Sequence, residues 1–267
     1  MILGSGNLAW ALAPALARIS EEGSDIKLVQ IYSRNKEEGK KLARLAGVPY
    51  TDSPEELAVA DLYIMAIADG PIAKLSERIN VPPEAVVVHT AGSTGIEAIS
   101  PLIKNRGVLY PLQSFSKGRE VDFSRIPLFI EYTTTRAEEV IRNVSEKLSG
   151  TVSEASSEIR EKIHLAAVFA ANFTNHMYVV AEEILNDAGL PFDTVKPLIT
   201  EVAAKAVALC SPVDAQTGPA VRGDMATVNR HLKLLADDKS GHEGLAELHR
   251  KIYEKISQSI WETSKKK

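Results

Sequence analysis

The residues that could do chemistry begin at the very start of this 267-residue chain. Met1-Ile2-Leu3-Gly4-Ser5-Gly6-Asn7-Leu8-Ala9-Trp10 sets Gly4, Gly6 and Ala9 in the spacing G-x-G-x-x-G/A, after an apolar run and before an alanine-rich segment. A strand, a glycine turn and a helix in that order form the fingerprint of a dinucleotide site. Gly4 permits the tight turn, Gly6 lets a pyrophosphate approach bare backbone, and Ala9 lets helix and strand pack closely. The free N–H groups at the helix start, around Ser5, Asn7 and Leu8, favour phosphate charge. Only three residues precede Gly4 where such a strand has about five, as a truncated or late-assigned start would leave it. Pro14 falls inside the helix expected over residues 8–19 and should kink or shorten it.

The elements that must carry this site alternate along the chain. A buried strand over 26–32 ends in Ser33-Arg34-Asn35. An NAD site carries Asp or Glu at about this distance from the glycines, to hold the ribose 2′-hydroxyl. Here the acid is absent. Ser33 and Arg34 suit a 2′-phosphate, and the planar guanidinium can also stack on adenine, so the reading is NADP; the other reading is an ordinary solvated loop arginine. A helix follows over 36–46, an extended piece at Tyr50 and Thr51, and a helix start at Ser53-Pro54-Glu55-Glu56. The buried strand 61–68 places Ala66, Ile67 and Ala68 over the cofactor, since ligands lie at the carboxyl ends of such strands. A helix from Pro71 to Ile79, strands at 86–89, 107–112 and 128–132, a helix over 136–149 and a strand at 151–154 complete an α/β pattern. Strands alternating with helices mean a mostly parallel, doubly wound sheet.

The pattern changes near Ala155-Ser156-Ser157. Beyond it no strand is expected: one long helical pattern covers 159–188, a helix covers 194–209, a loop rich in Gly and Pro covers 211–224, and helices cover 225–235 and 243–262. The chain therefore divides into a dinucleotide-binding domain, 1–156, and an all-α domain, 157–267.

Composition excludes several classes. The apolar fraction is 45% and the formal charge is −4, with no basic run before Lys265, Lys266 and Lys267, so neither nucleic acid nor an anionic membrane is an expected partner. No stretch of about 18 apolar residues predicts a membrane span. The N-terminus lacks the pattern of a signal peptide. Cys210 is the only cysteine, which excludes a disulfide framework and fits a cytoplasmic protein. The histidines have no metal-ligand spacing, so no metal is expected.

Taken in order, Gly-Ser-Gly-Asn at 4–7, His89-Thr90-Ala91-Gly92-Ser93, Tyr110-Pro111-Leu112-Gln113-Ser114-Phe115, His164 through Asn172 to His176, Thr217-Gly218-Pro219-Ala220-Val221-Arg222-Gly223-Asp224 and His231 carry a resemblance. The chain resembles a largely uncharacterised family of Rossmann proteins with a helical C-terminal domain of unknown function. That family is described as NADP oxidoreductases similar to pyrroline-5-carboxylate reductase and the deazaflavin-dependent NADP oxidoreductases. The resemblance implies a Rossmann sheet followed by a helical domain like the C-terminal domain of 6-phosphogluconate dehydrogenase, and a homodimer built by the helical domains.

Two-domain reductases that the chain resembles carry a Lys and an Asn on the first long helix, facing the nicotinamide. The matching helix here offers His164, Asn172, Asn175 and His176, with no lysine at position 164. At about 100° per residue, His164, Asn172 and Asn175 fall within roughly an 80° arc and so line one side of a cleft. Lys162 points elsewhere. A histidine can exchange a proton with a developing alkoxide or amine near neutral pH; equally, His164 can be a structural residue bonded to a carbonyl at the domain junction. Ala91, Gly92 and Ser93 follow a strand end and face the nicotinamide or the substrate, or make a simple turn. Gln113 and Ser114 offer neutral hydrogen bonds to substrate. Arg222 either clamps a substrate carboxylate or braces its loop by pairing with Asp224, and His231 is expected at the surface or in a dimer contact. The expected activity is hydride transfer between NADP and a small carbonyl or imine bound between the domains, with His164 as proton carrier and Asn172 and Ser93 as orienting groups. The alternatives are an NADP-binding sensor or interaction protein without catalysis, and a non-redox nucleotide ligand on the same fold.

Overall fold

The structure is a computed structural model that describes residues 1–236 and 243–265; Lys266 and Lys267 of the basic terminus lie outside them. Eight strands form one sheet in the order β3-β2-β1-β4-β5-β6-β7-β8. They are β1 (Ile2–Leu3), β2 (Ile31–Tyr32), β3 (Tyr50–Thr51), β4 (Leu62–Met65), β5 (Val86–His89), β6 (Asn105–Pro111), β7 (Leu128–Tyr132) and β8 (Val152–Glu154). The first six run parallel, β7 pairs antiparallel with β6, and β8 pairs parallel with β7. The order reverses at β1, from which the sheet grows to β2 on one side and β4 on the other. In open α/β sheets a ligand crevice forms at that point.

Alternate residues of each strand feed two cores. Ile2, Ile31, Ile64, Val88 and Leu109 pack under α1 (Asn7–Glu21), α2 (Lys36–Leu45) and α4 (Thr135–Leu148). Leu3, Tyr32, Tyr63, Met65 and Val87 pack on the other face with Ile72 of α3 (Ile72–Arg78). The period of two along the strands thus produces the two covered faces of a doubly wound sheet.

Five local expectations are corrected. The second strand is limited to Ile31–Tyr32, because its partner β1 offers only Ile2 and Leu3 to pair with. No helix starts at Ser53. The backbone there is taken up by side chains instead: Gln30 Nε2 donates to the Glu56 carbonyl, Gln30 Oε1 accepts from Ala58 N–H, and the Tyr63 hydroxyl engages Ala58 and Ala60. Pro14 does not shorten α1, which runs on to Glu21. The long helical pattern after Ser156 is not uniform. It comprises α5 (Ser157–Ala167), a π-helical stretch (Val168–Phe173) and α6 (Thr174–Asp187). The expected loop 211–224 holds two short helices, α8 (Pro212–Ala215) and α9 (Pro219–Arg222).

The chain forms two compact units, Met1–Asn172 and Phe173–Lys267. The first holds the sheet, α1 to α5 and part of the π-helical stretch. The second is all helix, adding α7 (Lys196–Ala208), α10 (Met225–Ala236) and α11 (Glu243–Ser264) to α6, α8 and α9. Among the described residues no strand follows β8, and no helix is long and apolar enough to cross a membrane.

Candidate functional site

A cleft of about 940 Å³ opens at the carboxyl ends of β1, β2, β4, β5 and β6. Gly4 makes the turn out of β1 at φ +136°, and a Cβ there would stand 2.1 Å from the Ala66 carbonyl oxygen, so no other residue fits without moving β4. Gly6 is different. Its backbone is extended and no protein atom lies within 4 Å of where its Cβ would be. Packing within the protein does not require glycine at position 6. The first turn of α1 carries no side-chain cap and no acidic residue, so its N–H groups remain free donors at the cleft wall.

Every residue that the sequence marks for the cofactor lines this cleft: Gly4, Ser5, Gly6, Asn7, Leu8, Ser33, Arg34, Asn35, Ala66, Ile67, Ala68, Ala91 and Gly92. Several are tied to one another. The Ser5 and Ser33 hydroxyls are 2.7 Å apart, Asn35 caps α2 by accepting from Glu38 N–H, and Asn7 Nδ2 donates to the Phe115 carbonyl. At the β2 end the cleft carries Arg34 and Arg78, whose charges both act on Tyr32; Arg78 also pairs with Glu55 at 3.3 Å, and Lys74 lines the same cleft. The only carboxylate in the lining is Asp69, and it is occupied by the hydroxyls of Ser93 and Thr94 at 2.9 and 2.8 Å.

At the opposite end His164 of α5 meets Tyr110 of β6, with Nδ1 and the phenol oxygen 3.2 Å apart. Both rings lie against Gly92, where a Cβ would fall 2.6 Å from His164 Nδ1 and 2.8 Å from Tyr110 Cζ. Burial raises the pKa of Tyr110, so it stays a neutral phenol. One turn earlier on α5, Arg160 is fully buried; it pairs with Glu131 and donates to the Thr94 carbonyl at 2.5 Å and to Ser157 Oγ. Glu131 also accepts from the backbone and hydroxyl of Ser157. This knot fixes α5 to β7 and to the loop after β5, which sets His164 over Gly92. The same loop is held from below by His89. Its Nδ1 accepts from Ala91 N–H at 3.2 Å, so its Nε2–H donates to the Gly95 carbonyl at 3.1 Å. Burial pushes the His89 pKa down to about 4, which keeps it neutral.

Three predicted site residues stand elsewhere. Ser93 is exposed and gives its hydroxyl to Asp69 instead of lining the cleft. Ser114 is exposed and outside the lining; its N–H donates to Oε1 of Gln113, which does line the cleft. Asn172 is exposed and outside the lining. The arc that joined it to His164 assumed a constant turn per residue, and the π-helical stretch between them changes the phase. In the second unit, Arg222 is exposed on α9. Asp224 caps α10 through Thr227, and its pKa is lowered by the Thr227 N–H and hydroxyl and, less, by the charge of Arg222. His231 is half-buried and bonded through Nδ1 to the Tyr253 hydroxyl at 2.8 Å, so it braces α10 on α11. No group of three or more His, Cys, Asp or Glu able to hold a metal occurs among the described residues.

A family model described as a domain of unknown function (DUF2520) matches residues 126–260, just over half of the chain. The chain belongs to this family. A Rossmann-like domain model matches residues 1–114. The DUF2520 match begins inside the sheet, so it includes β7, α4, β8 and α5 as well as the helical unit. A candidate NADP oxidoreductase of Bacteroides fragilis is 42% identical, with a TM-score of 0.87 over 98% of this chain and 96% of that one. An imine reductase of Myxococcus stipitatus in complex with NADP+ is 13% identical, with a TM-score of 0.59 over 97% and 94%. A 1-pyrroline-5-carboxylate reductase of Streptococcus pyogenes is 15% identical, with a TM-score of 0.57 over 97% of each chain. At these low identities the last two show a shared fold alone. No curated protein matches the sequence.

Within this DUF2520 chain, sequence reasoning missed Tyr110, Arg160, Lys74 and Arg78 as parts of the site. Lys74 and Arg78 had a readable signal: with Pro71 and Leu75 they repeat at helical spacing on the helix that follows the strand end. Arg160 had none, since a lone arginine on an amphipathic helix looks like solvent-facing charge.

Proposed function

We propose that the cleft binds NADP and that the protein is an oxidoreductase acting on a small carbonyl or imine compound. The observation that carries this reading is the pairing of an open, uncapped glycine turn with a cationic β2 end. Position 6 is free of steric demand from the protein yet holds glycine, as close approach of a pyrophosphate requires. At the end of β2, where an acid would hold a 2′-hydroxyl, there are Ser33 and Arg34 with Arg78 near them, and Lys74 lines the same cleft. The residues present therefore fit a 2′-phosphorylated dinucleotide. Residues 4–8 would hold its pyrophosphate, Ser33, Arg34 and Asn35 its adenosine ribose, and Ala66, Ile67, Ala68, Ala91 and Gly92 the remainder. The 42% identical Bacteroides fragilis protein, named as a candidate NADP oxidoreductase, supports the same cofactor.

Bound NADP supplies hydride exchange at its nicotinamide ring. The protein's part is to position and to move a proton. His164 is the histidine of the cleft lining, and it exchanges the proton that accompanies reduction or oxidation at the substrate oxygen or nitrogen. Gln113 offers a neutral hydrogen bond at the same end of the cleft, and takes the orienting role expected of Asn172 and Ser93. The helical unit acts in dimer formation. No residue of its α6 or α7 is fully buried within one chain, which a partner copy would remedy.

Calorimetric titration with NADPH and NADH, side by side, tests the reading. NADPH is expected to bind more tightly, and Arg34→Ala to cost about tenfold in NADPH affinity while leaving NADH unchanged. Binding of neither nucleotide would sink the proposal. NADPH binding without turnover on a panel of carbonyls and imines would make the protein a sensor rather than an enzyme.

A further inference from the structure

His89 and His164 sit on either side of the same loop, and their surroundings hold them differently. The Ala91 N–H points at His89 Nδ1 and leaves that nitrogen no choice but to accept. His89 is locked with its proton on Nε2, spent on the Gly95 carbonyl. His164 has no backbone group at Nδ1. Its neighbour there is the Tyr110 hydroxyl at 3.2 Å, the rings meeting edge-on at 68°. Its Nε2 has no protein partner among the described residues and is the ring nitrogen left for the cleft.

A histidine that exchanges protons at Nε2 must keep a proton on Nδ1 in both of its charge states. As imidazolium it gives up the Nε2 proton and becomes the neutral Nδ1–H form; as that neutral form it takes a proton on Nε2. A partner at Nδ1 must therefore accept a hydrogen bond throughout. A carbonyl or a carboxylate does so, and a hydroxyl can, because its own hydrogen rotates away. A backbone N–H cannot, which is why His89 does not qualify.

We propose that Tyr110 is a positioning residue for His164: its hydroxyl accepts from Nδ1–H, selects that tautomer of the neutral ring, and so makes Nε2 the proton-exchanging atom of the cleft. Gly92 is part of the device, since any side chain there would drive the two rings apart. Arg160 is its foundation, holding α5 one turn below His164 through Glu131 and the Thr94 carbonyl. The buried phenol of Tyr110 resists ionisation, so it serves as a neutral acceptor that fixes geometry without adding charge. This assignment rests on the reading of His164 as proton carrier.

The test uses the full chain labelled with 15N-histidine and long-range 1H–15N correlation, which separates Nδ1–H from Nε2–H forms. Loss of the His164→Gln signal assigns the residue among the six histidines of the chain. Wild-type His164 is expected as Nδ1–H when neutral. In Tyr110→Phe its tautomer ratio should move toward Nε2–H by about fivefold, the worth of one neutral hydrogen bond, while His89 keeps its Nε2–H signal as proof of an intact loop. An Nε2–H form in the wild type overturns the proposal whether or not the variant folds, and so does an unchanged ratio in Tyr110→Phe beside an unchanged His89. NADPH added to the same sample separates the two readings. NADPH binding with His164 in the Nε2–H form overturns the role of Tyr110 alone, whereas failure to bind NADPH overturns the reductase reading on which it rests.

Discussion

Two glycines of one turn separate folding from binding at the scale of single residues. Gly4 is demanded by the protein: at φ +136°, with Ala66 2.1 Å from its would-be Cβ, Gly4→Ala should cost about 2–4 kcal/mol of stability. Gly6 is not demanded by anything in the protein. Gly6→Ala should change stability by less than about 0.5 kcal/mol yet weaken NADPH binding by about tenfold or more. Denaturant titration together with calorimetry on the two variants checks both, and a Gly6→Ala protein that binds normally would show that no pyrophosphate approaches there. The contrast also marks what a sequence can disclose. The spacing G-x-G-x-x-A predicted the turn, and the later strand ends pointed to the other residues proposed for the cofactor, all of which line the cleft because lining follows from strand ends and chain order. It could not disclose Tyr110 beside His164, because that pair joins residues 54 apart through the packing of a helix on a sheet.

At the scale of elements, the loop after β5 is held by two buried titratable groups, and both make its stability measurable. His89 has a folded pKa of about 4 against an ordinary 6.5. The unfolded chain therefore binds more protons between these values, and stability falls as pH drops from 6.5 toward 4, by about 3 kcal/mol for this residue in total. His89→Gln keeps a donor for the Gly95 carbonyl without the titration. The stability difference between wild type and variant should thus shrink by about that amount between pH 7 and pH 4, followed by urea unfolding. Glu131→Gln should leave the Arg160 charge buried and short of its partner, at a cost of about 3 kcal/mol, read as a lower denaturation midpoint. Sequence patterns gave the strands and helices that bracket this loop to within a residue or two. They failed where side chains replaced backbone partners, as Gln30 and Tyr63 do over residues 56–60, and where the π-helical stretch broke the helical period after His164. Periodicity detects regular backbone only, so exceptions that depend on a distant side chain are invisible to it.

At the scale of the whole molecule, the two units differ in how they satisfy the hydrophobic effect. The first buries alternate residues of eight strands beneath helices on both faces. In the second, no residue of α6 or α7 is fully buried in a single chain, and α7 exposes Leu198 at 62% and Val202 at 57%, one turn apart on one face. A helix of 13 residues gains little from its own hydrogen bonds and owes its stability to an apolar face that is covered. On the reading proposed above for the helical unit, the occupant is a second copy of the same chain. The protein is accordingly expected to sediment at twice the chain mass of 29.0 kDa at micromolar concentration. Val202→Asp would place a carboxylate in the covered face. It should convert the dimer to monomer and lower the unfolding temperature, which would become independent of protein concentration, as linkage between folding and association requires. A wild-type monomer would instead mean that the face on α7 serves another partner, and Val202→Asp would then leave the sedimentation coefficient unchanged.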